Sequence, residues 1–560
     1  MQSVMIVILG LAGMMFGWFI YSRFIAERIY KLDPSFVTPA HELNDGIDFV
    51  PTNRFILWGH HFTSVAGAAP IVGPAIAVYW GWIPAVLWVT IGTVFFAGVH
   101  DFGAIWASVR NKGRSIGALS EDVIGSRTRA LFMVVIFLVL LMVNAVFGVV
   151  IAGLFVGTPN AVFPAWSAIV VALIIGQLIH RNFNLTVLSI LGVIALYVSI
   201  FIGSQLPIEL PDQMFGLAAN GSWIVLLFIY AAIASMLPVW VLLQPRDFIN
   251  GMQLFVGLFL LYGAVLLSLP DISAPAFNSS VTIDSPSLVP LLFVTIACGA
   301  VSGFHGIVSS GTTSKQIDKE TDSRFVGYLG AIGEGSLALI TIVAVSGVGL
   351  AATPELWHEI YDQYGEAGAE TFVQGGAQLI SNAWGVPLGI STTLLATMVV
   401  LFAGTTMDTG VRLQRYIIQE WGEIYNIPAL KSSILTTLIA VTCCLTLAFG
   451  AGGAAGSGGL TIWPLFGSTN QILAGLTLLV ISVMLIKLGR PARYTLIPMV
   501  FVLVTSAWAA VLKLIEWFQA DNWLLVSIDL IVLITSVMVI LEAISVISRY
   551  KRVSPSPSGD

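Results

Sequence analysis

The strongest constraint on this chain is a set of long apolar runs that carry almost no charge. The runs 129–157, 327–351 and 523–547 each exceed the roughly 20 residues that cross a bilayer as a helix. Only 10% of the residues are Asp, Glu, Lys or Arg, against roughly 25% in a soluble domain. A transmembrane β-barrel would instead show alternating segments of about ten residues. The sequence therefore predicts an all-α polytopic membrane protein.

The apolar pattern predicts about 15 transmembrane helices. The first of them has no basic leader and no clear cleavage site, so we interpret it as a retained helix rather than a signal peptide. The predicted spans are 4–22, 62–79, 82–108, 129–157, 163–179, 184–203, 223–243, 252–269, 289–311, 327–351, 385–407, 432–450, 463–487, 494–515 and 523–547.

Basic residues divide the predicted loops into two sets. Cytoplasmic loops of membrane proteins collect Lys and Arg. With the N-terminus outside, all of the 24 Lys and Arg residues except Lys513 fall on the inner side. An added or missed span would scramble this division beyond the point of the error. The charge pattern therefore predicts an external N-terminus and a cytoplasmic C-terminus.

Helix-breaking residues interrupt two of the predicted spans. SVAGAAPIVGP contains Gly67, Pro70, Gly73 and Pro74, and ASMLPVWVLLQPRDF, five spans later, contains Pro238. Proline removes a backbone hydrogen bond, and glycine admits non-helical angles. Backbone groups freed at membrane depth need protein partners or a polar cavity. Breaks at matching positions of two inverted halves indicate a transporter's binding site, whereas simple packing kinks are the alternative interpretation.

Two ionisable side chains lie deep inside predicted spans, where charge is costly. His305 is in SGFHGIVSSGTTSKQI, and Glu334 is in GAIGEGSLALITIV. Because imidazole titrates near neutrality, His305 suits a proton-accepting role; a neutral packing histidine is the alternative. Asp101 lies at the inner end of its predicted span, where it either gates a path or pairs with the basic loop.

A set of oxygen ligands follows His305. Gly306, Ser309 and Ser310 share one helix face at spacings i, i+3 and i+4. One carbonyl and two hydroxyls suit a small hard cation such as Na⁺. The alternative is that the hydroxyls bond back to their own helix.

His60 and His61 precede the first break on the predicted inner side. Consecutive residues of a helix point in different directions, so one metal ion would need an irregular backbone to bind both. A gate with a proton-linked role and a helix cap are the main interpretations. The three cysteines lack metal-type spacing. No metal cofactor is predicted, and the net charge of −6 without a basic cluster predicts no nucleic-acid partner.

Five ordered motifs resemble the carbon starvation protein A (CstA) family. The resemblance runs from about residue 30 to 490 and implies a bacterial or archaeal inner-membrane protein. It further implies uptake of peptides, or in some branches of pyruvate, during nutrient limitation. The motifs are NDGIDFVPTNRFILWGHHFTSVAGAAPIVGPAIA (44–77), LPVWVLLQPRDF (237–248), FVTIACGAVSGFHGIVSSGTTSKQI (293–317), DTGVRLQR (408–415) and WPLFGSTNQILAG (463–475).

The resemblance also implies a LeuT-like fold with two inverted repeats of five helices. Residues 66–74 and 235–243 become the unwound parts of the first and sixth core helices, which adds Ala66 and Trp240 to the substrate site. The span with Ser309 becomes the eighth, where sodium-coupled relatives hold Na⁺. The implied divisions are a peripheral helix (1–30), an interfacial segment (31–61), two repeats (62–204 and 205–411), peripheral helices (412–548) and a cytoplasmic tail (549–560).

These observations predict a secondary active transporter rather than an enzyme. We expect import of small peptides driven by an H⁺ or Na⁺ gradient, with pyruvate or another small carboxylate as the alternative substrate. An ion channel would call for a repeated pore loop or a ring of charges, and the sequence has neither pattern. The chain also has no P-loop for ATP, and GxSxG does not occur around His305.

Overall fold

The computed structural model describes residues 2–46, 48–181, 183–214, 216–238, 241–281, 285–365, 367–451 and 458–553. These residues are almost entirely helical, apart from an antiparallel pair of two-residue strands, β1 (Gln213–Met214) and β2 (Leu217–Ala218). The helices are α1 (Gln2–Tyr30), α2 (Arg54–Ala66), α3 (Ala69–Ala77), α4 (Trp82–Arg110), α5 (Ile116–Val123), α6 (Ser126–Gly157), α7 (Val162–His180), α8 (Leu185–Gly203), α9 (Ala219–Met236), α10 (Leu243–Ser268), α11 (Leu288–Thr295), α12 (Gly303–Gly311), α13 (Arg324–Ser346), α14 (Pro354–Ile360), α15 (Ala369–Trp384), α16 (Leu388–Ile424), α17 (Ser433–Gly450), α18 (Gly458–Lys487), α19 (Arg493–Gln519) and α20 (Trp523–Val553). Short helical turns occur at Pro39–Glu42, Val78–Trp80, Pro159–Ala161, Thr313–Gln316 and Pro428–Lys431.

Within the described ranges, 12 helices are long and apolar enough to cross a membrane. The bent pair of α2 and α3 raises this number to 13 if it is one span. This confirms a polytopic all-α membrane protein but does not confirm the predicted 15 spans. The apolar part of α8, Val187–Gly203, is shorter than these 12 helices, and the predicted span 289–311 is divided between α11 and α12.

The two longest of the described helices form the centre of the bundle. Helices α6 and α16 have 32 and 37 residues and pack along one another. A Cβ atom on Gly410 of α16 would collide with the Asn144 amide of α6, so glycine is needed for this close approach. The buried apolar core continues from this pair into α3, α13 and α18.

Helix α2 begins earlier than the predicted span. The Asn53 side chain accepts a hydrogen bond from the Phe55 backbone amide at 2.9 Å, which caps the helix at Arg54. His60 and His61 therefore lie inside a helix that begins within the predicted interfacial segment 31–61. The apolar pattern missed this turn because RFILWGHH mixes polar and apolar residues.

Two connecting segments join on the predicted inner side, below α2 and α12. Thr52 and Ile317 form a parallel backbone bridge. The His41 Nε2 and Asp318 Oδ1 atoms are 2.8 Å apart, and Arg110 forms an ion pair with the buried Glu320. These contacts connect the segment that leads into α2 with the segment that follows α12.

Candidate functional site

The first interruption lies between α2 and α3. Gly67 has φ +49° and ψ −158°, and the two helices are bent by 49°. Pro70 lies in the first turn of α3, a position where its missing N–H is not needed. Pro74 lies inside α3. The break is therefore confined to Gly67 and Ala68, directly after Ala66, and the prolines belong to the helix that follows.

Gly73 connects this region with a second interruption. A Cβ atom on Gly73 would collide with the Thr295 carbonyl oxygen at the end of α11. Residues 296–302 then form buried turns before α12 begins at Gly303. The sequence analysis missed this break because ACGAVSG is apolar and contains no proline. The feature that could have indicated the break is the pair of glycines in this stretch, because each costs about 1 kcal/mol in a helix interior.

Helix α18 supplies polar partners for this second break. Asn470 Oδ1 accepts the Phe304 backbone N–H at 2.9 Å, and Asn470 Nδ2 lies 3.0 Å from Ser302 Oγ. The Trp463 indole N–H donates to the Thr295 carbonyl at 3.2 Å. Both side chains belong to the WPLFGSTNQ motif. The motif is therefore explained by backbone groups that a broken helix leaves unpaired in the membrane.

A small cavity of about 10 Å³, lined by buried residues, lies between the two breaks. Its volume corresponds to about one water molecule. The Thr406 hydroxyl of α16 is buried there without a hydrogen-bond partner among the described residues. The lining residues are Val65, Ala66, Gly67, Ala69, Val143, Phe147, Cys298, Phe304, Thr406 and Phe466.

Pro238 is not in the middle of a span. Helix α9 ends at Met236, and Pro238 lies exposed in the connection to α10. The Arg412 guanidinium of α16 donates to the carbonyls of Ala234 and Leu237, at 3.0 and 2.7 Å. This contact satisfies backbone groups at the end of the helix. Trp240 lies outside the described residues.

Four ionisable side chains form a buried row in the membrane interior. His100 Nδ1 lies 2.7 Å from Asp101 Oδ1, and Asp101 Oδ2 lies 2.9 Å from His305 Nδ1. His305 Nε2 lies 3.1 Å from Glu334 Oε2, as an ion-pair contact rather than an aligned hydrogen bond. All four are at most 1% exposed. The structure thus brings Asp101 to His305 and Glu334, and adds His100, a residue that sequence reasoning did not single out.

Two of the three predicted cation ligands, Gly306 and Ser310, already form hydrogen bonds within the protein. Ser310 Oγ donates to the Gly306 carbonyl at 2.6 Å and accepts the Ile116 backbone N–H at 2.9 Å. This is the back-bonding arrangement considered as the alternative. In the part of the chain that is described, Ser309 Oγ is buried without a partner.

The adjacent histidines face different surroundings. The buried His61 has its Nδ1 atom 2.9 Å from Thr313 Oγ1, and its ring lies against Gly330 of α13. His60 is partly exposed, with Nδ1 3.9 Å from Asp247 Oδ2. His61 therefore belongs to the interior on the α12 and α13 side, and His60 faces α10.

A second buried charge cluster connects α9, α10 and α16. The Arg246 guanidinium binds Asp408 and the Tyr230 hydroxyl, and that hydroxyl donates to Asp408 Oδ2 at 2.7 Å. The sequence analysis had placed Arg246 in an inner loop, because the PRDF stretch appears to end an apolar run. The structure includes it in α10, where the ion pair offsets the cost of burial.

Comparison with known proteins extends this description. The family described as "Carbon starvation protein CstA" matches residues 2–509. "Peptide transporter CstA" of Campylobacter jejuni is 32% identical, covering 93% of this chain and 82% of the relative. "Pyruvate/proton symporter BtsT" of Escherichia coli K12 is 30% identical, covering 92% and 82%. A manganese transporter of Eremococcus coleocola aligns with a TM-score of 0.47 and 12% identity, covering 91% of this chain and 99% of that chain. By the family match and these two curated relatives, the chain belongs to the carbon starvation protein CstA family.

Proposed function

We propose that the chain is a secondary active transporter, not an enzyme, that imports small peptides under nutrient limitation. An H⁺ or Na⁺ gradient drives the uptake. The observation that carries this proposal is the meeting of two interrupted helices, α2/α3 and α11/α12, at a small buried cavity inside the bundle. Irregular backbone at membrane depth is tolerated where it lines a cavity or is buried in protein, and transporters bind substrates at such places.

The chemistry of the breaks favours a substrate with a carboxylate. No described side chain caps the start of α3, which faces the break at Gly67. The N-terminus of a helix attracts anions through its dipole, although in α3 the Ile71 N–H is bonded to the Ala68 carbonyl at 3.1 Å and Pro70 has no N–H. The unpartnered Thr406 hydroxyl adds a donor. Peptides and pyruvate both carry a carboxylate. Pyruvate is the second candidate substrate, because one relative is named a pyruvate/proton symporter.

Matched surroundings of the two breaks support a five-plus-five inverted repeat, but with different boundaries. Each interrupted helix is followed by a span (α4 or α13), then short helices (α5, or α14 and α15), then one of the two longest helices (α6 or α16). The final helices pack reciprocally, since α10 contacts α2 and α16 while α18 contacts α12 and α6. We therefore place the halves at 54–268 and 288–487, with α7 and α8 inserted, instead of 62–204 and 205–411.

The orientation that we propose is an external N-terminus and a cytoplasmic C-terminus, in the cell membrane of a bacterium or archaeon. The inner side then carries almost all of the Lys and Arg residues. Fusion of a reporter that fluoresces only in the cytoplasm to residue 553 tests this. Fluorescence is expected, and its absence from a fully expressed fusion contradicts the orientation.

Uptake by proteoliposomes tests the function. Radiolabelled alanyl-alanine and pyruvate are offered with H⁺ and Na⁺ gradients imposed separately. We expect gradient-driven accumulation of the peptide, and competition by other di- and tripeptides. If only pyruvate accumulates and peptides do not compete, the second candidate is correct. Absence of gradient-driven flux for both compounds refutes the proposed function.

A further inference from the structure

We propose that the row His100–Asp101–His305–Glu334 is the coupling site, and that its ligand is a proton. This inference rests on the proposed transport function and names its coupling ion. The row joins three elements, since His100 and Asp101 are on α4, His305 is on α12 and Glu334 is on α13. Helix α12 starts directly after the second break, so a change of charge at His305 acts on a half-helix of the transport core.

The contacts of the row favour one distribution of protons among the four side chains. His100 Nδ1 faces Asp101, and within the described residues its Nε2 has no partner, so a neutral ring that donates from Nδ1 satisfies this geometry best. Both nitrogens of His305 face carboxylate oxygens. One proton is then shared between His305 and Glu334, and the set of four carries one negative charge.

A single further proton makes the row neutral. An isolated negative charge is unfavourable in a medium of low dielectric constant. The other ionisable groups that face the row are His61, from α2, and Cys298, from the turns between α11 and α12. Neither is a fixed cation, and no Lys or Arg of the described chain contacts the row. The charge therefore calls for a mobile cation rather than an internal counter-ion.

The available ligand atoms favour H⁺ over Na⁺. Hard metal cations take several oxygen ligands, and within the described residues Glu334 Oε1 is the one carboxylate oxygen of the row that contacts no hydrogen-bonding or ion-pair partner. Within the described residues, His61 Nε2 and His100 Nε2 also have no hydrogen-bond partner, and these imidazole nitrogens can accept protons.

His61 is positioned to exchange that proton with the inner side. Its ring packs on Gly330, one helical turn before Glu334, and a Cβ atom on Gly330 would lie 3.2 Å from His61 Nε2. The partly exposed His60 follows toward the inner end of α2. In the transport cycle the proton arrives from outside and forms an O–H or N–H bond at the His305–Glu334 pair. That bond breaks when the proton leaves past His61, so the number of protons on the row is restored in each cycle.

The test compares Glu334→Gln with the wild-type protein in proteoliposomes. A one-unit pH gradient drives about tenfold accumulation per coupled proton. Because glutamine imitates the protonated, neutral carboxyl group, the variant is expected to exchange labelled alanyl-alanine or pyruvate across the membrane but to lose pH-driven accumulation. Asp529→Asn, which neutralises an equally buried carboxyl group in the peripheral helix α20, is the matched control and should accumulate normally.

The assignment is overturned if Glu334→Gln accumulates substrate at the wild-type level. It is also overturned if Asp529→Asn loses as much pH-driven accumulation as Glu334→Gln does. If the variant does not fold, calorimetry of substrate binding to the wild-type protein in two buffers of different ionisation enthalpy decides the matter. We expect binding of each substrate molecule to be accompanied by uptake of about one proton. Substrate binding without proton uptake overturns the proposal. Wild-type uptake driven by Na⁺ alone would refute the proton site but leave the transport function intact, whereas no uptake with either ion refutes the function itself.

Discussion

At the scale of single residues, Gly67 decides the geometry of the first break. With φ +49° and ψ −158°, it lies close to a region that is essentially restricted to glycine and that costs other residues about 1–3 kcal/mol. A Cβ atom there would lie 2.9 Å from Thr406 Oγ1 and 3.1 Å from the Phe147 ring. The residue thus combines an unusual backbone angle with a close approach to the cavity.

Replacement of Gly67 by alanine is therefore expected to lower uptake by about tenfold or more, since a backbone strain of about 1–3 kcal/mol falls on the substrate region. Gly59→Ala is the matched control, because Gly59 lies in the same helix with open space around it. Initial rates in proteoliposomes, normalised to the amount of folded protein, provide the measurement. Equal rates for the two variants would show that the break tolerates a side chain and does not shape the site.

At this scale, the sequence indicated which ionisable residues are buried but not which of them contact one another. His305 and Glu334 were recognisable because ionisable groups are rare inside apolar runs. Their contact with Asp101 was not recognisable, since more than 200 positions separate Asp101 from His305 and no local pattern encodes that distance. Pro238 was misjudged for the opposite reason, because a proline close to a helix end resembles a proline within the helix.

At the scale of elements, the second break depends on a side chain from another helix. Asn470 of α18 bonds the Phe304 amide and the Ser302 hydroxyl at the start of α12. Leaving a buried donor without its partner costs about 1–3 kcal/mol. The apolar pattern predicted most spans correctly but joined α11 to α12, because small apolar residues fit an unbroken helix as well as a broken one.

Asn470→Ala is expected to lower the thermal stability of the purified protein and to reduce transport more than stability alone explains. The physical reason is that α12 loses the acceptor that caps its first turn. Asn382→Ala serves as the control, because its amide makes an exposed hydrogen bond to Gln378 on the surface of α15. Identical melting temperatures for the two variants would contradict the role of Asn470.

At the scale of the whole molecule, the inner ends of both interrupted helices are connected. The segment that leads into α2 and the segment that follows α12 share the Thr52–Ile317 bridge and the contact between His41 and Asp318. These contacts hold the two segments together on the predicted inner side of the buried cavity. Passage of substrate to that side requires the two segments to separate, since alternating access moves one half against the other.

A covalent connection between these segments should therefore stop transport. In a His41→Cys, Asp318→Cys double variant, a short bifunctional thiol reagent with a cleavable disulfide spacer is expected to join the side chains, whose polar atoms are 2.8 Å apart in the native protein. Uptake should fall with the fraction of joined protein and recover when a reductant cleaves the spacer. The variants that carry only one of the two new cysteines, treated identically, show the effect of thiol modification without cross-linking. The native cysteines are buried or half-buried. Undiminished uptake by fully joined protein would mean that substrate reaches the inner side without parting these segments, and that the opening lies elsewhere in the bundle.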